Sequence, residues 1–138
     1  MARYALERIE VPQAAAALRD AMGKLKGELL AGVIGSLGVR EDKESTAALA
    51  KLVTDSDQMI ADAAAVALGN IGTAEAADAL AKAKVTVWST DASLICAEKL
   101  LDAGNKNAAK AVYMRFAVGD HPKHVRLAAT AGMLACTR

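Results

Sequence analysis

The sequence specifies an all-α chain that stacks about four helical hairpins, preceded by a half-unit, into a solenoid. Three observations predict this. Hydrophobic residues make up 54% of the 138 residues and aromatics only 3%, so the interior has to be built from Ala, Leu, Val and Ile. Alanine favours the helix and lets neighbouring helices approach closely, whereas sheet-rich domains draw on β-branched and aromatic residues. The chain also repeats itself. Gly32-Val33-Ile34-Gly35-Ser36-Leu37-Gly38 matches Val66-Ala67-Leu68-Gly69-Asn70-Ile71-Gly72, and a looser copy, Glu98-Lys99-Leu100-Leu101-Asp102-Ala103-Gly104, keeps the final glycine. A period in the low thirties of residues is that of a helical hairpin repeat. Finally, Leu29, Leu30, Val33, Ile34 and Leu37 fall on one broad helical face, which needs a neighbouring unit to bury it.

The elements follow in order from their punctuation. Helices are expected over 3–9, 12–22, 24–37, 43–54, 57–71, 74–83, 91–103, 106–118 and 122–135, about nine in all, paired into hairpins 12–37, 43–71, 74–103 and 106–135. Pro12 and Pro122 suit a first helical turn, where a missing N–H leaves nothing unpaired. Gly38, Gly72 and Gly104 suit the position just past a helix end, where φ is often positive. Asp42, Asp57, Thr73, Thr90 and Asn105 stand where side chains would accept the free amide hydrogens of the following helix. A single array over residues 1–138 is expected. Its leading half-unit, and the lack of an obvious polar cap at Cys136-Thr137-Arg138, read as part of a longer, bacterial polypeptide whose apolar ends would associate end to end.

Composition removes several function classes. Seventeen Lys and Arg against sixteen Asp and Glu give a net charge of +1, so no overall field drives the chain to nucleic acid or an anionic membrane. No apolar run approaches the roughly 20 residues that span a bilayer, and Met1-Ala2-Arg3-Tyr4 leads into an amphipathic stretch and not a secretory core, so a soluble chain without a signal peptide is expected and its compartment stays open. Cys96 and Cys136 occupy apolar helical positions and read as buried thiols. His121 and His124 flank Pro122 and Lys123, yet zinc needs three or four ligands and no Cys or Glu cluster accompanies them. No metal, no cofactor and no catalytic set is expected.

The Ala-rich run closing on Leu-Gly-x-Ile-Gly over Ile60 to Gly72, its partial copy over Leu30 to Gly38, and Val125-Arg126-Leu127-Ala128-Ala129 near the end resemble the short HEAT-like repeats that also occur in phycobilin lyases. Thr54-Asp55-Ser56-Asp57 and Gly119-Asp120-His121-Pro122 look like the Asp-containing turn inside such a unit. Tetratricopeptide units fit poorly, because they need fixed bulky aromatics and a terminal proline. The resemblance covers nearly the whole chain and implies a right-handed α-α superhelix whose second helices line a concave side. It implies a protein-protein interaction scaffold, with a phycobilin-lyase-like or chaperone-like accessory domain as the alternative. Arg126 is matched by Ala61 about two periods earlier, which weakens the case for an inter-repeat Asp–Arg ladder. The His-Glu pairs of HEAT-like hydroxylases are absent from the sequence, and the basic, aromatic groove of helical-repeat DNA glycosylases has no counterpart in its charge balance.

Candidate binding residues are those on the second helix of each hairpin: Lys26, Glu28, Gln58, Asp62, Asp91, Glu98, Lys99, Lys123 and Arg126. They mix signs, which suits a protein or peptide of mixed charge better than a polyanion. Trp88 is added because Lys84-Val85-Thr86-Val87-Trp88-Ser89-Thr90 replaces the short Asp turn with a longer, β-branched segment. Either Val87 and Trp88 cover an irregular gap in the core, or Trp88 is an aromatic anchor for a partner.

Overall fold

The computed structural model describes residues 5, 7 and 12–138; the expected leading helix over 3–9 falls, apart from Ala5 and Glu7, outside the described residues. Eight α-helices follow: α1 (Pro12–Met22), α2 (Gly27–Val39), α3 (Thr46–Leu52), α4 (Gln58–Ile71), α5 (Ala74–Leu80), α6 (Val87–Asp102), α7 (Lys106–Ala117) and α8 (Lys123–Ala135). A 3₁₀ turn, Lys43–Ser45, leads into α3, so the single helix expected over 43–54 is shorter and begins with a tighter turn. No strand occurs among the described residues. Helices pair as the four expected hairpins, and consecutive hairpins pack side by side into a helical solenoid.

Local chemistry accounts for most boundaries. Asp57 accepts from the Met59 N–H, Thr73 from that of Ala76 and Asn105 from that of Ala108, which caps α4, α5 and α7 as expected. Gly72 ends α4 with φ 69°, a left-handed conformation that strains any residue with a Cβ. Several boundaries differ from expectation: α2 begins at Gly27 and α5 ends at Leu80, each three residues inside the expected limits. Helix α2 does not stop at Gly38; it continues to Val39, and Glu41 takes the left-handed position at φ 52°, with its N–H donating to the Gly38 carbonyl and that of Asp42 to Leu37. Helix α6 begins at Val87 instead of 91. Its cap is Thr86, and Thr90 is buried within the helix. Asp42 caps nothing, since both its oxygens accept from Arg19 at 2.8 Å and one also accepts from Ser45. Pro122 stands at the N-cap of α8, one residue ahead of the helix.

The core is one continuous cluster running from Leu18 through Ile34, Leu37, Leu49, Leu68 and Leu80 to Phe116 and Ala129. Leu29, assigned to the buried stripe of α2, is 67% exposed, because the stripe is narrower than its sequence pattern. Second helices stack α2 on α4 and α4 on α6 at small residues. A Cβ on Gly38 would lie 2.8 Å from Ala67 Cα, and one on Gly69 would lie 2.6 Å from the Ala92 carbonyl oxygen. That need for close approach explains why Gly38 stays inside its helix. Helix α8 departs from the ladder: it packs on α7, with Gly132 against the Tyr113 ring, and meets α6 only marginally.

Cys96 and Cys136 are both buried free thiols. Burial pushes the Cys96 thiol up to about 11, and burial, with Glu98 and Asp102 nearby, pushes the Tyr113 phenol up to about 12. Both groups hold their proton more tightly in the folded chain than in the unfolded one. The unfolded chain therefore binds fewer protons in alkali, and stability should fall as pH rises from the ordinary thiol value of 9.0 toward 12. Denaturant titrations at stepped pH measure it, and a flat profile contradicts the burial of these two groups. The glycines give a second prediction. Gly35 and Gly69 occupy equivalent places in the repeat, yet a Cβ on Gly35 meets nothing within 4 Å. Gly35→Ala should stabilise by roughly 0.5–1 kcal/mol through helix propensity, whereas Gly69→Ala should destabilise by roughly 1–3 kcal/mol through overpacking. Urea denaturation of the two variants reads both signs.

Candidate functional site

Each second helix buries one side in the hairpin stack and turns a narrow outward stripe to solvent. On α2 the stripe is Glu28, Gly35 and Val39; on α4 it is Met59, Asp62, Val66 and Asn70; on α6 it is Trp88, Asp91, Ile95, Glu98 and Asp102. The close crossings at Gly38 and Gly69 bring these stripes together into one surface. Between them lies a groove of about 350 Å³ lined by Gly35, Met59, Asp62, Ala63, Val66 and Trp88. Its lining is mainly apolar, and Trp88 stands 58% exposed at its edge.

Trp88 is therefore neither in a loop nor over a gap in the core. It sits in the first turn of α6, and its place is fixed by polar chemistry that the sequence segment 84–90 contains. The Thr86 hydroxyl accepts from the Ser89 N–H at 3.1 Å while the Thr86 N–H donates to Ser89 Oγ at 2.9 Å, a reciprocal capping box. Ser89 Oγ in turn donates to the Lys84 carbonyl at 2.8 Å. Across the helix pair, the Thr86 hydroxyl donates to Asp62 Oδ1 at 3.2 Å, and Gln58 Nε2 donates to the same oxygen at 2.9 Å. Asp62 is thus half-buried and doubly hydrogen-bonded at the floor of the groove.

The other sequence-derived candidates divide into three places. Glu28, Gln58, Asp62, Asp91 and Glu98 lie on or beside the outward surface of α2, α4 and α6, and exposed Lys26 immediately precedes α2. Lys99 is committed elsewhere: its ammonium donates to the Glu41 carboxylate and the Asn70 carbonyl, tying the ends of α2, α4 and α6 together. Lys123 and Arg126 are on α8 and are not among the residues that line the groove. A second cleft, of about 390 Å³, opens between the starts of α6 and α8 and contains Asp91, Asp120, His121 and His124. His121 packs tilted on the Phe116 ring at 5.1 Å. Among the described residues, no group of three or more His, Cys, Asp or Glu side chains is placed to hold a metal ion, and no helix is long and apolar enough to cross a membrane.

Met59, Val66 and Gly35 are groove residues that the sequence reading missed. Met59 and Val66 are spaced seven apart on the otherwise polar side of α4, a signal hidden by the many alanines around them. Gly35 carries no signal of its own, because its repeat partner Gly69 is buried. The surface built from these residues can hold an apolar side chain against Trp88 and place carboxylates beside it. Thr86→Ala should lower stability by about 1 kcal/mol through loss of the cap and should alter the fluorescence of the single tryptophan, Trp88. An unchanged emission spectrum would show that the capping box does not position the ring.

Residues 17–93 match the family model for HEAT repeats, whereas no curated protein and no solved structure matches the chain. The match is to HEAT repeats in general, and the narrower likeness to phycobilin lyases rests on the sequence motif alone. It spans α2 to α5 entire, with the end of α1 and the start of α6, which are the hairpins whose second helices form the grooved surface. With more than half of its length matched and its helices stacked as consecutive hairpins, the chain belongs to the HEAT repeat family.

Proposed function

We propose that this chain is a non-enzymatic scaffold that binds a protein partner on the concave surface formed by α2, α4 and α6, with Trp88 as its anchor. HEAT repeats commonly serve as interaction scaffolds, and the observation that carries the reading here is the exposed tryptophan beside an apolar groove. Trp88 is the only tryptophan, it is held by a capping box, and it projects next to Met59 and Val66, which are also exposed. An isolated apolar residue on a surface is ordinary, but a cluster around an exposed aromatic ring is the arrangement that concentrates binding energy. The open groove offers contact and shape, with Asp62 as a fixed hydrogen-bond acceptor. Glu28, Gln58, Asp91 and Glu98 supply its polar rim. Residues 1–138 act as one array in this reading.

A photo-crosslinking amino acid placed at Val66, on the groove, and separately at Asp78, on the exposed side of α5, tests the proposal in cells that produce the chain. Crosslinked partner is expected from position 66, reduced at least about fivefold by Trp88→Ala, and absent from position 78; loss of roughly 1 kcal/mol or more on removing a buried aromatic anchor sets that scale. Equal yields from both positions, or no effect of Trp88→Ala, would refute the assignment of the surface.

A further inference from the structure

We infer that one occupant of the Trp88 groove is helix α8 of a second copy of this chain. The inference rests on the reading of the α2–α4–α6 surface as the binding face and names its partner. Charge on the two surfaces is opposite. Helices α2, α4 and α6 carry five carboxylates, Glu28, Asp62, Asp91, Glu98 and Asp102, against Lys99, whose ammonium is already held by Glu41 and the Asn70 carbonyl, and exposed Lys26 just ahead of α2. Helix α8 carries Lys123 and Arg126 and no acid. The same division runs through the chain: residues 106–138 hold six Lys or Arg and one Asp, whereas residues 1–105 hold eleven against fifteen, so a net of +5 and a net of −4 make up the overall +1.

Shape and apolar surface agree with charge. Helix α8 buries only Val125 and Ala129 of its thirteen residues, because it leans on α7 and scarcely touches α6. Leu127 and Leu134 are 59% and 60% exposed, seven residues apart on one side, with Lys123 one turn ahead of Leu127. This is a helix-in-groove ligand: apolar anchors two turns apart, flanked by cations. A helix suits a surface made of helices, because its backbone groups are bonded within itself and need no partner from the groove. Helix α8 brings its backbone already satisfied. In the docked pair, Leu127 and Leu134 cover Met59, Val66 and the Trp88 ring, while Lys123 and Arg126 meet Asp91 and Glu98.

The test is a complementation between two variants of the full chain. The groove variant is Trp88→Ala with Asp91→Lys, and the helix variant is Leu127→Ala with Lys123→Glu; all four residues are exposed, so the fold should survive. Sedimentation velocity of the unaltered chain should show mass rising with concentration and falling as salt increases, since charge pairs on an open surface are screened. Each variant alone should associate at least about tenfold more weakly, a loss of 1.4 kcal/mol or more. An equimolar mixture should recover a heterodimer, because one intact groove and one intact α8 remain. If circular dichroism shows either variant unfolded, the single-site pair Asp91→Lys and Lys123→Glu replaces them. A chain that stays monomeric near millimolar concentration overturns the inference, as does association that both variants retain or a mixture no stronger than its parts. Should Val66 then still crosslink a foreign protein in a Trp88-dependent way, the binding surface stands and only the second copy is refuted; should it crosslink nothing, both readings fall together.

Discussion

The architecture depends on how closely the second helices can approach. At the α2–α4 and α4–α6 crossings there is no room for a side chain on Gly38 or Gly69, because Ala67 and Ala92 already occupy the space a Cβ would need. Packing of this kind depends on the absence of atoms, which is why an interior with almost no aromatic residues still buries a continuous core. It also decides the outer surface. Helices held at short range have outward stripes that merge, so residues from three helices, Gly35, Val66 and Trp88 among them, line a single groove.

Polar ties hold the ends of that stack in place. Lys99 lies across Gly72, its aliphatic stem filling the space that a Cβ there would occupy, and its ammonium joins the end of α4 to Glu41 beyond the end of α2. At the residues just after Glu41, Arg19 of α1 grips Asp42 with one nitrogen and Glu44 with another, each at 2.8 Å, and so fixes the 3₁₀ turn that leads into α3. The Arg19 side chain is only about a quarter exposed, and its hydrogen bond to Asp42 is the main influence that holds its charge. Partly solvated pairs contribute little stability one by one. Their effect here is directional, since each connects elements that are not neighbours in sequence.

Much of this was legible in the sequence, for identifiable reasons. Repeat period and alanine content depend on the stacking itself, so hairpin pairing, the caps at Asp57, Thr73 and Asn105, and the left-handed Gly72 could all be read from residues. Gly38 was misread because a glycine has two uses, turning the chain and admitting a neighbour, and the local pattern is the same for both. Thr86 and Thr90 are both good caps; what selects Thr86 is Ser89 at the third position and Asp62 across the groove, and the second of these is a tertiary contact. The groove itself was the least legible part. Met59 and Val66 become a site only when α6 delivers Trp88 beside them, and no single helix carries that information.

The distribution of sign makes the same point about averages. The second helices taken together carry mixed charges, yet acids fall on α2, α4 and α6 and cations on the last hairpin. Packing decides how far apart the two groups lie. Tyr113 occupies the space above Gly132 and holds α8 against α7, so the ladder of second helices effectively stops at α6 and the basic α8 does not extend the acidic surface. The start of α8 comes near α6 only at the cleft where His121 and His124 stand beside Asp91, and the rest of α8 packs on α7. The chain therefore presents two unlike surfaces from one repeated unit, and a nearly neutral total conceals both.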